Sequence, residues 1–178
     1  LRAYLPESIS IKKAFLAPSE FPSTLSSVRK TYQYWVWNDL RSTALLSRYS
    51  YWIRKPLDLV FLNECSQYLV GKHDFKSFQS SGTPVLHTQR TIFSAEWVRQ
   101  NSSLIEFEIT GSGFLKQMVR NIVGTQLDMA IRNIPAKKIL EMLESKDRTK
   151  SGPTAPPQGL FLKKVYYPNE LNKKCRKI

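Results

Sequence analysis

The chain has 178 residues, 42% of them hydrophobic, enough to bury a core and to make one domain of ordinary size the expectation. With 27 Lys and Arg against 14 Asp and Glu, its formal charge is +13, a field that favours polyanions, either nucleic acid or an anionic membrane surface. No run approaches a membrane span and no signal-peptide pattern opens the chain, while Cys65, Cys175, His73 and His87 give neither a disulfide framework nor metal-ligand spacing. A cytoplasmic protein without metal or cofactor is expected, its partner RNA or DNA rather than membrane.

In chain order, Leu5-Pro6-Glu7-Ser8 is a turn signal before a short apolar alternation at Ile9 and Ile11, and Pro18 and Pro22 interrupt the next stretch. Residues 1–27 therefore read as a linker and strand. Val28 to Asn38 is rich in aromatic and β-branched residues and predicts a strand. Period 2 places Tyr32, Tyr34 and Val36 on one face and Gln33, Trp35 and Trp37 on the other; both are apolar, so cover on both sides is expected. Basic residues beside aromatic ones suit a stacking platform for an unpaired base, although aromatic strands also serve as core.

Arg41 to Lys55 reads as a polar, basic connection. Pro56 can start a helix with Leu57, Phe61, Cys65, Tyr68 and Leu69 on its core face, and Gly71 fits its C-cap. His73-Asp74-Phe75 reads as a loop-ordering motif, since neighbouring side chains in a loop seldom share a proton path. After a polar loop over Ser80 to Gln89, Thr91 to Arg99 and Ser103 to Thr110 predict a hairpin, with Ile105, Phe107 and Ile109 inward and Glu106 and Glu108 on a wet face.

Gly111-Ser112-Gly113 punctuates the end of that hairpin. Leu115, Met118, Val119, Ile122, Val123, Met129 and Ala130 then fall on one side of a helical wheel. Arg120 lies on the opposite side, with Lys116 and Gly124 at i±4. Gly124 puts no side chain beside the guanidinium, so another backbone or a ligand can approach closely; by spacing alone Arg120 reads equally well as a surface arginine. A further helix from Ile134-Pro135 points Ile139, Leu140 and Leu143 inward and ends at Asp147-Arg148-Thr149. Ser151 to Gln158 is a proline-rich loop, Gly159 to Pro168 a last strand, and 169–178 a frayed basic tail outside the core. Adjacent strands and segregated helices predict an α+β fold, a largely antiparallel sheet with helices packed on one face.

The segment Phe114-Leu-Lys-Gln-Met-Val-Arg-Asn-Ile-Val-Gly124 closely resembles the M-V-R-N-I-V-G segment of the TruA family of tRNA pseudouridine synthases. Further pieces agree in order: Lys30-Thr-Tyr-Gln-Tyr34, Asp74-Phe-Lys-Ser-Phe78, Arg90-Thr91, Asp147-Arg-Thr149, Pro153-Thr-Ala-Pro156 and Gly159-Leu-Phe-Leu162. Phe21-Pro22-Ser23-Thr24 departs from the family pattern, with Thr24 where the family has arginine.

The resemblance implies a pseudouridine synthase domain over 28–168 and an isomerase acting on uridines of the tRNA anticodon arm, tRNA positions 38 to 40. It breaks the N1–C1′ bond and rejoins the base through C5, with neither cofactor nor metal. Whether the family's aspartate attacks sugar or base is open. The resemblance further implies that Arg120 pairs with that aspartate, that Tyr32 contacts the target base and that Leu160 packs against it. Arg90 and Lys30 become candidate RNA contacts, Tyr34 is structural, and the whole enzyme is a homodimer.

The family's aspartate sits in a G-R-T-D segment of an N-terminal half. Asp39, Asp58, Asp74, Asp128 and Asp147 all lack that pattern. The expectation is thus a C-terminal domain that is inactive alone. The alternative is a non-catalytic tRNA-binding or RNA-binding module.

Overall fold

The computed structural model describes residues 4–19, 21–23, 26–82 and 85–177. Thr24 and the Thr83-Pro84 step of the polar loop lie outside the described residues. Arg29–Val165 forms one compact unit, and the described parts of Leu1–Val28 and Tyr166–Ile178 form a second.

In the second unit, β1 (Phe15–Leu16) pairs antiparallel with β8 (Arg176–Lys177), and between β7 (Leu160–Tyr166) and β8 runs α4 (Asn169–Lys174). The chain from Asn169 is therefore structured rather than frayed. Its lack of core is as expected, since α4 buries no residue. No strand forms at Ile9 and Ile11; two apolar positions without a partner strand cannot offset the entropy of ordering them. Phe21 packs on Tyr167 with ring centroids 4.8 Å apart, and Val28 N–H bonds to Tyr166 O.

The larger unit contains β2 (Arg29–Asn38), β3 (Tyr51–Ile53), α1 (Leu59–Gln67), β4 (Gly71–Asp74), β5 (Gln89–Arg99), β6 (Leu104–Gly111), α2 (Met118–Arg132), α3 (Lys138–Ser145) and most of β7. Its sheet runs β3-β2-β6-β5-β4, with β7 also on β2. All pairs along that order are antiparallel except β2 with β3. β3 lies inside the stretch that reads as a connection, because its three residues are too few to show a period.

Register fixes the two faces. Tyr32 opposes Ile109, Tyr34 opposes Phe107 and Val36 opposes Ile105, so the predicted inner face of β2 meets that of β6. Tyr34, Val36, Phe107, Ile105, Trp97 and Ile92 are buried there under Leu62 and Cys65 of α1 and Met118, Val119, Ile122 and Val123 of α2. Burying each such side chain is worth about 1.5–3 kcal/mol. Trp97 Nε1 donates to Gln126 Oε1 at 2.6 Å, and Gln126 Nε2 donates to Ser66 Oγ at 3.2 Å, tying β5, α2 and α1 through one satisfied polar chain.

The other face of β2 is not covered as expected. Gln33, Trp35 and Trp37 are half-buried: Gln33 Nε2 and Trp35 Nε1 both donate to the Glu106 carboxylate, Trp35 packs on Phe161 at 4.8 Å, and Trp37 Nε1 donates to Arg41 O at 2.9 Å.

Helix ends also shift. Asp58 caps α1, accepting from Val60 N at 2.8 Å, while the C-cap is Tyr68 and Gly71 instead opens β4 at φ 112°. In α3, Ile139 and Leu143, four residues apart, share the buried side, but Leu140 lies about 100° round the helix from Ile139 and is 39% exposed. His73-Asp74 stands at the end of β4 rather than in a loop, but orders its surroundings as expected. His73 Nε2 lies 3.0 Å from Val70 O, and Asp74 Oδ1 accepts from the Thr88 hydroxyl and Lys76 N.

Candidate active site

α2 begins at Met118, after a turn at Lys116-Gln117 in which Gln117 takes a left-handed conformation at φ 57°. Lys116 therefore does not flank Arg120 on the helix; its ammonium bonds to Ser81 O at 2.9 Å. Arg120 stands on the first turn, half-buried. The backbone approach that Gly124 permits is made by the proline-rich loop. A Cβ on Gly124 would lie 1.9 Å from Pro153 O and 2.8 Å from Ala155 N, so any side chain there would push the loop away.

That contact delivers both bonds of Arg120 to the loop: Arg120 Nε donates to Ala155 O at 2.7 Å, and Ala155 N–H donates to Arg120 O at 3.0 Å. The loop is held by a second arginine. Arg148 Nη1 donates to Ser151 Oγ at 2.9 Å and Gly152 O at 2.9 Å, while Nη2 donates to Thr154 Oγ1 at 3.1 Å and Asn121 Oδ1 at 3.2 Å. Thr154 Oγ1 in turn donates to Asn121 Oδ1 at 2.6 Å, and Thr125 Oγ1 accepts from Gly152 N at 2.9 Å. Asn121 and Thr154 adjoin the two residues that grip each other, so this knot sets where the Arg120 guanidinium sits. Spacing alone does not reveal it, because Asn121 and Thr154 lie 33 residues apart.

The loop also closes over β2. The Tyr34 hydroxyl donates to Pro156 O at 2.6 Å, and a Cβ on Gly159 would lie 2.7 Å from Tyr34 Cζ, so this glycine lets the loop rejoin the sheet. Tyr34 is 0% exposed; burial pushes its phenol well above the usual range, and the nearby Arg120 charge pulls back only in part. Directly after Gly159 comes Leu160, half-buried and packed on the core edge. Arg120, Tyr34, Ala155 and Leu160 thus gather where α2, β2 and the loop meet.

Tyr32 is two residues nearer the end of the same face and only half-buried. Its ring takes the edge of Phe114 at 5.1 Å, and burial raises its phenol pKa too. Lys30 opposes Gly111 further along the same side. Arg90, on β5, is turned onto its own segment: Nη1 donates to His87 O at 3.0 Å and Gln89 O at 2.6 Å, and burial lowers its pKa. A Cβ on Gly113 would lie 3.6 Å from Arg90 Nε, so Arg90 borders the Gly111–Phe114 turn that carries the Tyr32 contact.

The five aspartates are engaged elsewhere. Asp58 and Asp147 cap turns, Asp39 accepts from Arg41 N and the Ser103 hydroxyl, Asp74 meets Lys146 at 3.4 Å, and Asp128 meets Arg132 at 3.3 Å. Among the described residues no carboxylate forms an ion pair with Arg120. Among the same residues no three His, Cys, Asp or Glu side chains gather as a metal site, and no helix is long and apolar enough to cross a membrane.

The family model for tRNA pseudouridine synthase matches residues 65–168, the span from α1 through the Arg120 helix and the loop to the end of β7. Over all 178 residues the chain is 50% identical to the tRNA pseudouridine synthase A of Bdellovibrio bacteriovorus, covering 68% of that protein. The chain belongs to the tRNA pseudouridine synthase family. The enzyme of the same name from Bacillus subtilis is 40% identical over 169 residues, with 95% of this chain and 68% of the relative covered. That of Maridesulfovibrio salexigens is 39% identical over 168 residues, 94% of this chain and 62% of the relative. Within the family match lie Arg120, Arg148, the loop and Leu160, whereas Tyr32 and Lys30 precede it.

Proposed function

We propose that the junction of α2, β2 and the proline-rich loop is half of the active site of an isomerase that converts uridine to pseudouridine in the anticodon stem-loop of tRNA. Arg120 carries the reading. Its Nε is tied to Ala155 O at 2.7 Å, and none of the described carboxylates neutralises the guanidinium. An arginine fixed in that way is shaped to receive an anion and keep it ionised where water is scarce. The anion is the aspartate that attacks the nucleotide, supplied by polypeptide outside these 178 residues. Tyr32 stacks on the extruded base with its hydroxyl available for proton transfer. Leu160 closes the apolar side, and Lys30 and Arg90 meet flanking phosphates. The domain spans 28–168 and acts in the cytoplasm within a homodimer.

The test is tritium release from tRNA carrying 5-tritiated uridine. This chain alone should release none, and adding the family's N-terminal half as a separate polypeptide should restore turnover. In the completed enzyme Arg120→Met should cost about 3–5 kcal/mol by leaving a buried carboxylate unpaired. Arg120→Lys should fall between, keeping the charge without the fork. Turnover by the chain alone would refute the split site. No turnover with the second half present, but intact tRNA binding, would favour a non-catalytic RNA-binding module.

A further inference from the structure

Away from Arg120, an open groove of about 470 Å³ runs between the turn after β4 and the end of α3. Lys76, Ser80, Ser81, Lys146, Asp147 and Arg148 line it, three cations against one carboxylate. That carboxylate is engaged in its own turn, accepting from Thr149 N at 2.9 Å and Thr149 Oγ1 at 2.8 Å. Lys146 is 58% exposed and meets Asp74 at 3.4 Å, a pairing that solvent weakens. The Lys76 ammonium has no partner among the described residues.

Arg148 is the unusual member. Its part-buried guanidinium is bound to Ser151, Gly152, Asn121 and Thr154, all through neutral oxygens. A partly desolvated cation normally has an anion beside it, and no described carboxylate forms an ion pair with this one. Its positive field therefore reaches the groove, where the Ser81 hydroxyl adds a donor of the kind phosphate oxygens accept, while the Ser80 hydroxyl donates to Gln117 Oε1 at 2.7 Å.

Resting on the tRNA reading above, we propose that this groove seats a phosphodiester of the tRNA backbone beside the target uridine. Arg148 holds Asn121 and Thr154, the chain neighbours of Arg120 and Ala155, so a phosphate here binds next to the structure that aims the guanidinium. The groove is concave and its lining carries a net positive charge, which suits a nucleic-acid backbone better than a flat membrane surface.

The experiment is a salt titration of tRNA binding by this chain, comparing Lys76→Ala, Lys146→Ala and the double variant with Arg132→Ala. Arg132 ends α2, some 20 Å along the helix from its start at about 1.5 Å per residue, and its loss removes the same charge. Each groove variant should weaken binding roughly 5-fold near physiological salt and lower the slope of log affinity against log salt by about 0.7–0.9. The double variant should lower that slope by about twice as much, with Arg132→Ala near the unaltered chain. All these positions are exposed, and unchanged circular dichroism checks the fold. If the unaltered chain binds tRNA but the groove variants match Arg132→Ala, the groove is not a phosphate seat, while the tRNA reading stands. If the unaltered chain binds no tRNA at low salt, both fail.

Discussion

Two tyrosines on one face of β2, two residues apart, sit in opposite surroundings. Tyr34 is sealed: its hydroxyl is bound to Pro156 O, Gly159 lies on its ring and Arg120 is close by. Tyr32 packs against the core edge and meets Phe114 at right angles, but stays half-open. The difference comes from the loop, which crosses β2 at Tyr34 and rejoins the sheet at Leu160 without reaching its end. A site that takes in a flipped base needs both kinds of residue, one fixed as wall and one left accessible.

The largest effect on this contrast is expected from Gly124→Ala. The new methyl meets backbone at Pro153 rather than a flexible side-chain tip, so the loop must move, at a cost of more than about 3 kcal/mol. Thermal unfolding should show a large loss of stability, and Arg120 should lose its Ala155 grip with it. A variant as stable as the parent would mean that the loop does not rest on α2.

Tyr34→Phe comes next. It leaves Pro156 O without its donor in a covered position and should cost about 1–3 kcal/mol of stability, read by denaturant unfolding. Tyr32→Phe should leave stability nearly unchanged, since the ring keeps its edge contact, yet lower turnover of the completed enzyme if the hydroxyl moves a proton. Tyr32→Ala should also lose stacking on the base, about 1–3 kcal/mol in tRNA affinity. Equal effects of the two Phe variants on both stability and turnover would erase the distinction drawn between them.

The smallest effect lies at alkaline pH. Burial raises both phenols above their ordinary value, that of Tyr34 further. A raised folded pKa gives stability that is complete below the unfolded value near 10 and is lost as pH climbs beyond it. The stability of the parent should therefore fall more steeply above pH about 10 than that of Tyr34→Phe, with Tyr32→Phe between. Parallel curves for all three would place Tyr34 in solvent.

Local pattern determined much of this protein. Alternation in Val28–Asn38 and Ser103–Thr110 set which side chains face the core, because a pleated strand turns every second residue to one side. Helical spacing after Leu115 set the buried stripe of α2, and Gly124 foretold the close passage of another backbone. The M-V-R-N-I-V-G motif pointed to Arg120. The start of α2 escaped, since Gln117 adopts a left-handed conformation that residues other than glycine seldom take. β3 and β8 are too short for any period to show, and each exists only because a partner strand supplies its hydrogen bonds.

Tertiary structure alone decided which backbone fills the space over Gly124, which tyrosine is sealed and which oxygens hold Arg148. The Arg148 bond to Asn121 spans 27 residues and the Tyr34 bond to Pro156 spans 122. Periodicity carries information over a few turns of chain, whereas hydrogen bonds and close packing depend on distances in space that only the folded sheet and loop establish.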